Sequence, residues 1–185
     1  MRYLIIFIVA ALFQSCCQPA GTESMESPDK WKDSFHEQLN LFGHRNWILV
    51  VDKAFPAQTA TGIEVINSGE GLLPTLSYVL SEVQQATHVK PVIYTDHELA
   101  FITSEQVPAI DAYRSGLSNL LSEYEVQTIL HDSVFVKIEQ ASKLFKVLVI
   151  KTEEVIPYSS VFIELDCRYW SPPQEKILRN RMREN

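Results

Sequence analysis

Two polar side chains at the ends of one apolar run are well suited to proton chemistry. His44 follows Gly43, and Asp52 stands eight positions later, directly after the run Trp47–Val51. An imidazole has an ordinary pKa of about 6.5 and exchanges protons near neutral pH, while a carboxylate accepts hydrogen bonds from two hydroxyl groups. The pair therefore predicts proton transfer on a polar ligand. Taken alone, His44 favours a cap on the preceding helix, and Asp52 fits a loop aspartate equally well.

Other polar residues near the predicted strand ends have simpler interpretations on their own. Tyr158 can donate or accept one hydrogen bond, and its position before a strand favours a partly buried tyrosine at the sheet edge. Residues 96–98 (Asp-His-Glu) do not share one face of a helix or strand, so they predict a turn with solvated charges rather than a metal site. Asp132, directly after His131, favours a helix N-cap. The sequence contains no glycine-rich phosphate loop, nucleophile elbow or Cys/His zinc spacing.

These residues lie between elements that the hydrophobic pattern predicts. Apolar residues from Trp31 to Phe42 recur at spacings of four, four and three, which indicates one face of a helix that ends at Gly43. The continuous apolar run at 47–51 is typical of a buried strand. Further strands are predicted at 62–66, 91–94, 126–130, 145–150 and 161–165, and further helices from Pro74, from Pro108 and over 134–144. Strands and helices alternate along the chain, so we predict an α/β domain with a largely buried sheet.

The composition is that of one globular domain with an acidic balance. The chain has 185 residues, 46% of them hydrophobic and 21% charged, and its formal net charge is −7. This length supports a full hydrophobic core, and the negative charge disfavours nucleic acid as a partner. The last segment, 171–185, concentrates Lys and Arg but also carries Glu175 and Glu184. We therefore predict a polar C-terminal tail that forms a solvated amphipathic helix.

The N-terminus has the pattern of a targeting segment. Arg2 precedes an almost wholly apolar stretch, 3–13, which is too short for a transmembrane helix of about 20 residues and matches a signal-peptide core. Cys16 follows this core, as in a bacterial lipoprotein signal, in which the cysteine is lipidated and becomes the new N-terminus. We predict a signal peptide at 1–15 and a lipidated tether at 16–30. The protein would then be exported and anchored to a membrane, facing the periplasm or the cell surface; plain secretion and an uncleaved anchor are the alternatives.

Several short motifs occur in the order that they have in one known family. The Gly-His pair at 43–44 and the run 49–56 (Leu-Val-Val-Asp-Lys-Ala-Phe-Pro) form the most specific block. Weaker matches follow at 71–74, 107–114, 138–141, 152–154 and Tyr158. Over residues 32–166 the chain resembles the D-ribose pyranase / L-fucose mutarotase (RbsD/FucU) family. The resemblance implies a domain of this type at 31–170, with a layered sheet covered by helices.

The resemblance also implies a role for each candidate residue. In that family the histidine matching His44 is the catalytic proton donor. The aspartate matching Asp52 binds the sugar, as does the segment that starts at the tyrosine matching Tyr158 and here includes Ser160. The reaction is an isomerisation that interconverts anomers or ring forms of a free monosaccharide, and it needs positioned acid–base groups but no metal and no cofactor. Family members form rings in which neighbouring subunits complete each site, which implies a homo-oligomer here.

The sequence departs from the family pattern at two sugar-binding positions. Ser160 stands where the family has an asparagine, and Val134 aligns with a basic residue whose role His131 or Lys137 can take instead. Three functions therefore remain open. The first is a mutarotase for a ribose- or fucose-like monosaccharide, the second is a non-catalytic sugar-binding lipoprotein of the same fold, and the third is a structural role for the ring.

Overall fold

A six-stranded mixed sheet with helices on both faces forms the centre of the protein, in a computed structural model that describes residues 29–184. In chain order the elements are α1 (Lys30–Leu41), β1 (Trp47–Val51), β2 (Ile63–Asn67), α2 (Leu72–Gln85), β3 (Val89–Asp96), a 3₁₀ helix (His97–Phe101), α3 (Ile110–Leu120), β4 (Val126–Ile129), α4 (His131–Ser142), β5 (Val147–Lys151), β6 (Val161–Cys167) and α5 (Pro172–Glu184). The predicted α/β class is confirmed. Within the described part of the chain, no helix is long and apolar enough to cross a membrane. The predicted signal peptide and the predicted lipidation site, Cys16, lie outside the described residues.

The strand order gathers most strand ends on one side of the molecule. Across the sheet the order is β2-β5-β1-β6-β3-β4. β6 is antiparallel to its neighbours β1 and β3, while β1 and β2 are parallel to β5, and β3 is parallel to β4. Five strands therefore end at the same end of the sheet, where β6 begins. We call this the carboxyl end of the sheet, and side chains that follow several different strands converge there.

β1 is buried on both faces because its residues alternate between two hydrophobic cores. Ile48 and Val50 pack into the core beneath α1, α2 and α3. Trp47, Leu49 and Val51 pack into the second core, which lies beneath α4. α5 has no buried residue, as expected of a solvated tail. The central strand is thus held rigidly between two layers, and whatever follows it is held in a defined place.

Two helices begin earlier than the hydrophobic pattern predicts. α2 begins at Leu72 rather than Pro74, because a proline fits the first turn of a helix, where its missing N–H is not needed. α4 begins at His131 rather than Val134. The backbone N–H of His131 donates to both carboxylate oxygens of Glu98 at 3.1 Å, which satisfies a donor that a helix start leaves unpaired. The early start places His131 at the carboxyl end of the sheet.

Candidate functional site

A pocket at the carboxyl end of the sheet contains three of the predicted site residues. Its volume is about 270 Å³, and it is lined by Asp52, Ala54, Phe55, Pro56, His131, Pro157 and Tyr158. Asp52 follows β1, His131 opens α4 directly after β4, and Tyr158 precedes β6. The topology therefore brings together side chains from three segments that are distant in sequence.

Asp52 presents an oriented carboxylate to this pocket. Its Oδ1 accepts the backbone N–H of Ala54 at 2.9 Å, and its Oδ2 accepts the hydroxyl of Ser160 at 2.8 Å. The same Ser160 oxygen accepts the backbone N–H of Asp52 at 3.2 Å. An ionised carboxylate has about four acceptor positions, so these bonds fix its direction and leave positions free for ligand hydroxyl groups.

The loop that carries Asp52 is tied to the loop after β5. The Lys151 ammonium donates to the carbonyl of Phe55 at 2.7 Å, and the Thr152 hydroxyl donates to the carbonyl of Val51 at 2.8 Å. Lys53 forms an ion pair with Glu153. The run 49–56 is therefore held by bonds to residues 151–153, which overlap the weaker family match at 152–154.

His131 is held so that one ring nitrogen is left for the pocket. Its Nδ1 lies 2.9 Å from Oδ2 of Asp96. Its ring meets the rings of Tyr158 and Phe135 edge to face, with centroids 5.2 and 5.0 Å apart. Among the described residues no hydrogen-bond partner is found for Nε2. Nε2 is therefore the nitrogen that can exchange a proton with a ligand.

Asp96 is the residue at this site that the sequence analysis missed. The prediction of a solvated turn at 96–98 is wrong for Asp96, whose side chain has no exposed surface. Burial raises its pKa from 3.8 to about 6, and the hydrogen bond from His131 limits the rise. Its position in the sequence could have indicated this role, since Asp96, like Asp52, stands at the end of a strand with apolar residues.

Tyr158 has an unusual backbone conformation that buried neighbours maintain. Its φ is +57°, and a left-handed conformation costs a non-glycine residue about 1–2 kcal/mol. The next residue, Ser159, is fully buried; its carbonyl accepts the hydroxyl of Tyr113 at 2.6 Å, and its own hydroxyl donates to Ile156 at 2.7 Å. These bonds turn the tyrosine ring outward, where it is 38% exposed and packs against His131.

His44 lies at the opposite end of the sheet from this pocket. It is exposed in the turn between α1 and β1, whereas Asp52 follows β1. The five residues of β1 span about 16 Å at 3.3 Å per residue. Within one chain the two groups are therefore too far apart to contact the same monosaccharide. The neighbouring Arg45 has a φ of +73°. The turn at His44 therefore contains a left-handed non-glycine residue, as the segment at Tyr158 does.

The chemistry that this arrangement supports is acid–base catalysis on a hydroxylated ligand. Asp52 can accept ligand hydroxyls, His131 can take up or release a proton at Nε2, and the Tyr158 phenol can donate or accept one hydrogen bond. Within residues 29–184, no three His, Cys, Asp or Glu side chains come together in a way that could hold a metal ion.

The sequence of this domain matches a known protein family. The RbsD / FucU transport protein family matches residues 32–167 of the sequence. The chain belongs to this family. A comparison with curated proteins finds no significant match.

Several solved structures of RbsD and FucU proteins are similar to this chain. The structure of Bacillus subtilis RbsD complexed with D-ribose is 22% identical, with a TM-score of 0.50 over 71% of this chain and 89% of the other. The fucose mutarotase from Streptococcus pneumoniae, in complex with L-fucose, is 15% identical, with a TM-score of 0.47 over 69% and 87%. FucU from Bifidobacterium longum is 19% identical, with a TM-score of 0.47 over 69% and 91%. The likeness to the Bacillus structure confirms the predicted fold.

The two departures from the RbsD/FucU pattern occupy different places in the structure. Val134 is fully buried in the second core, so its side chain cannot reach a sugar in the pocket. Of its two predicted replacements, His131 lines the pocket, whereas the ammonium of Lys137 lies 5.2 Å above the ring of Tyr94. Ser160 is buried behind Asp52 and is not part of the pocket lining. A direct bond from Ser160 to a sugar stays a prediction.

Proposed function

We propose that this RbsD/FucU protein is a mutarotase or pyranase that interconverts anomers or ring forms of a ribose- or fucose-like monosaccharide. The observation that carries the proposal is the convergence of Asp52, His131 and Tyr158 in one pocket. Membership of the RbsD/FucU family supports it, and so does the fold shared with an RbsD that was solved with D-ribose.

The reaction moves two protons and breaks one bond before reversing. A base removes the proton of the anomeric hydroxyl, the bond between the anomeric carbon and the ring oxygen breaks, and an acid protonates the ring oxygen. The open-chain carbonyl sugar then rotates about the bond to its carbonyl carbon. The reverse transfers close the ring on the other face or through another hydroxyl. No atoms are gained or lost, so only positioned acid–base groups are required.

The residues of the pocket divide these tasks by their chemistry. His131 acts as the base, because it lines the pocket and its Nε2 has no hydrogen-bond partner among the described residues. Asp52 accepts two sugar hydroxyls and thereby orients the anomeric carbon toward His131. Tyr158 packs against the histidine ring and donates its phenolic hydrogen to the sugar.

We propose further that the acid is His44 of a neighbouring subunit. His44 and Asp52 lie at opposite ends of the sheet, so a contact between them joins two different surfaces of the protein. In a heterologous arrangement of subunits, repeating this contact closes a ring when the rotation between subunits allows. The separation of the two residues within one chain thus favours the ring that the family resemblance implies.

The test of the proposed function is exchange NMR of free sugars with the purified full chain. We expect it to accelerate anomer or ring-form exchange of at least one of D-ribose, L-fucose, D-galactose and D-glucose. The His131→Asn and Asp52→Asn variants should lose most of this acceleration. If no sugar exchanges faster in the presence of the protein, the protein is not a mutarotase for these sugars.

One observation favours the second function, a sugar-binding protein without catalysis. The His44 edge is exposed and remote from the pocket in the single chain, so a chain that does not form the ring lacks the proposed acid. That function predicts saturable binding of a sugar in calorimetry without any acceleration of its exchange. Measuring both quantities on the same sample separates the two functions.

We also propose that the protein is exported and anchored through a lipid on Cys16. The support is the order of a basic residue, an apolar core and a cysteine at the N-terminus. In cells fed radiolabelled palmitate, the full chain and its Cys17→Ser variant should be labelled, and Cys16→Ser should not. Labelling of the Cys16→Ser variant would contradict this assignment.

A further inference from the structure

A buried carboxylate stands behind the histidine of the pocket without lining it. Asp96 ends β3, its side chain has no exposed surface, and its Oδ2 lies 2.9 Å from Nδ1 of His131. Asp52, His131 and Tyr158 line the pocket, whereas Asp96 does not. Asp96 can therefore act on a bound sugar only through His131.

The remaining contacts of His131 hold its backbone and the plane of its ring. Glu98 binds its N–H with both carboxylate oxygens, and the rings of Tyr158 and Phe135 meet it edge to face. None of these contacts determines which ring nitrogen carries the hydrogen. Among the contacts that residues 29–184 make, only the bond to Asp96 does so.

We infer that Asp96 is a positioning residue that fixes the tautomer and ring orientation of His131, a role that rests on the proposed sugar isomerisation. An ionised carboxylate only accepts hydrogen bonds, so Nδ1 carries the hydrogen and Nε2 keeps its lone pair. Nε2 is then a base that faces the pocket. When it takes the anomeric proton, the Asp96 carboxylate stabilises the resulting imidazolium, as in other carboxylate–histidine pairs.

The cost of burying Asp96 supports a functional reason for its presence. Its Oδ1 has no hydrogen-bond partner in the described part of the chain, and an unpartnered buried oxygen destabilises a fold. Burial raises the pKa of this carboxyl to about 6, the charges of Glu98 and Asp52 act in the same direction, and His131 acts against them. Asp96 is therefore mostly ionised at neutral pH, which the proposed tautomer requires.

The experiment reads the tautomer directly, by two-bond ¹H–¹⁵N correlation NMR of the full chain labelled at histidine, at pH 7.5. The His131→Asn variant assigns the signals of His131. We expect the hydrogen on Nδ1 in the wild type. In Asp96→Leu, which cannot accept that hydrogen, the hydrogen should no longer be confined to Nδ1. The matched control, Glu98→Gln, removes the same charge from a neighbouring residue and should leave the ring signals as in the wild type.

Sugar exchange kinetics form the second arm of the experiment. Asp96→Leu should lower kcat at least tenfold with KM changed less than twofold, since Asp96 does not touch the sugar. An unchanged tautomer in Asp96→Leu overturns the inference. A wild type with the hydrogen on Nε2 also overturns it, and that result can be read even if the variant fails to fold. A further outcome is a wild type that does not accelerate the exchange of any sugar while the tautomer of His131 still changes in the Asp96 variant. In that case the proposed function fails, and the positioning of His131 by Asp96 stands.

Discussion

The hydroxyl of Ser160 holds the carboxylate of Asp52, 108 residues earlier in the chain, by donating to Oδ2 at 2.8 Å. The same oxygen accepts the backbone N–H of Asp52 at 3.2 Å. Ser160 is only 1% exposed, so the carboxylate of Asp52 is held from the buried side of the pocket. The residue that departs from the family pattern therefore orients the residue that is predicted to bind the sugar.

Replacing Ser160 with alanine should weaken both the fold and the pocket. The change leaves the N–H and one oxygen of Asp52 without their partner, which costs about 1–3 kcal/mol in the free energy of unfolding. Sugar affinity should fall several-fold, because the carboxylate loses its fixed direction. Urea unfolding and calorimetry measure the two effects. The control, Ser122→Ala, removes an exposed hydroxyl and should change neither quantity; the same null result for Ser160→Ala would contradict the orienting role.

Replacing His131 with asparagine should remove the base of the reaction. Positioned acid–base groups contribute about 10²–10⁴-fold to a rate, so we expect the acceleration of sugar exchange to fall by ~100-fold or more. Exchange NMR under saturating sugar measures this loss. The matched control is His97→Asn, which alters an exposed histidine on the neighbouring 3₁₀ helix and should keep wild-type activity. Equal activity of the two variants would rule out His131 as the base.

Mixing two inactive variants tests whether neighbouring subunits share a site. His44→Ala keeps the pocket and lacks the proposed acid, while Asp52→Ala keeps the acid and lacks the pocket. In rings assembled from an equal mixture, about one site in four combines an intact pocket with an intact His44. We therefore expect about a quarter of wild-type exchange activity after co-refolding. Activity no higher than that of either variant alone would show that His44 does not act across the interface.

Asp96 should make the stability of the protein fall as the pH rises from 4 to 7. Its pKa is raised from 3.8 to about 6 in the folded chain, so folding disfavours its ionised form. The stabilising contribution is complete below pH 3.8 and is lost as the pH rises through 6. The Asp96→Asn variant has no carboxyl group at this position, so its stability does not fall for this reason. The neighbouring residues Asp52, Glu98 and His131 are present in both proteins. The Tm of the variant minus that of the wild type should therefore increase between pH 4 and pH 7 in calorimetry. A constant difference would contradict the raised pKa.

Local patterns were sufficient to predict the helices and strands of this domain. The spacing of apolar residues from Trp31 to Phe42 predicted α1, and the apolar run at 47–51 predicted β1, because burial on one face or on both faces leaves a signal in neighbouring residues. Helix starts were less well predicted. α4 begins at His131 because Glu98, 33 residues earlier, accepts its N–H, and no local pattern contains that bond.

The motif Gly43-His44…Asp52 shows what the sequence determined and what it left open. Its residues and spacing were enough to predict proton transfer on a polar ligand, and they placed the histidine and the carboxylate at the two ends of one strand; that the ligand is a sugar was implied only by the family resemblance. The tertiary structure decided which residues line the pocket. Strand order is a long-range property, and it set the ends of β1, β3 and β4 beside the start of β6. His131, Asp96 and Ser160 became partners in the site through that order, while His44 was left at the opposite end of the sheet.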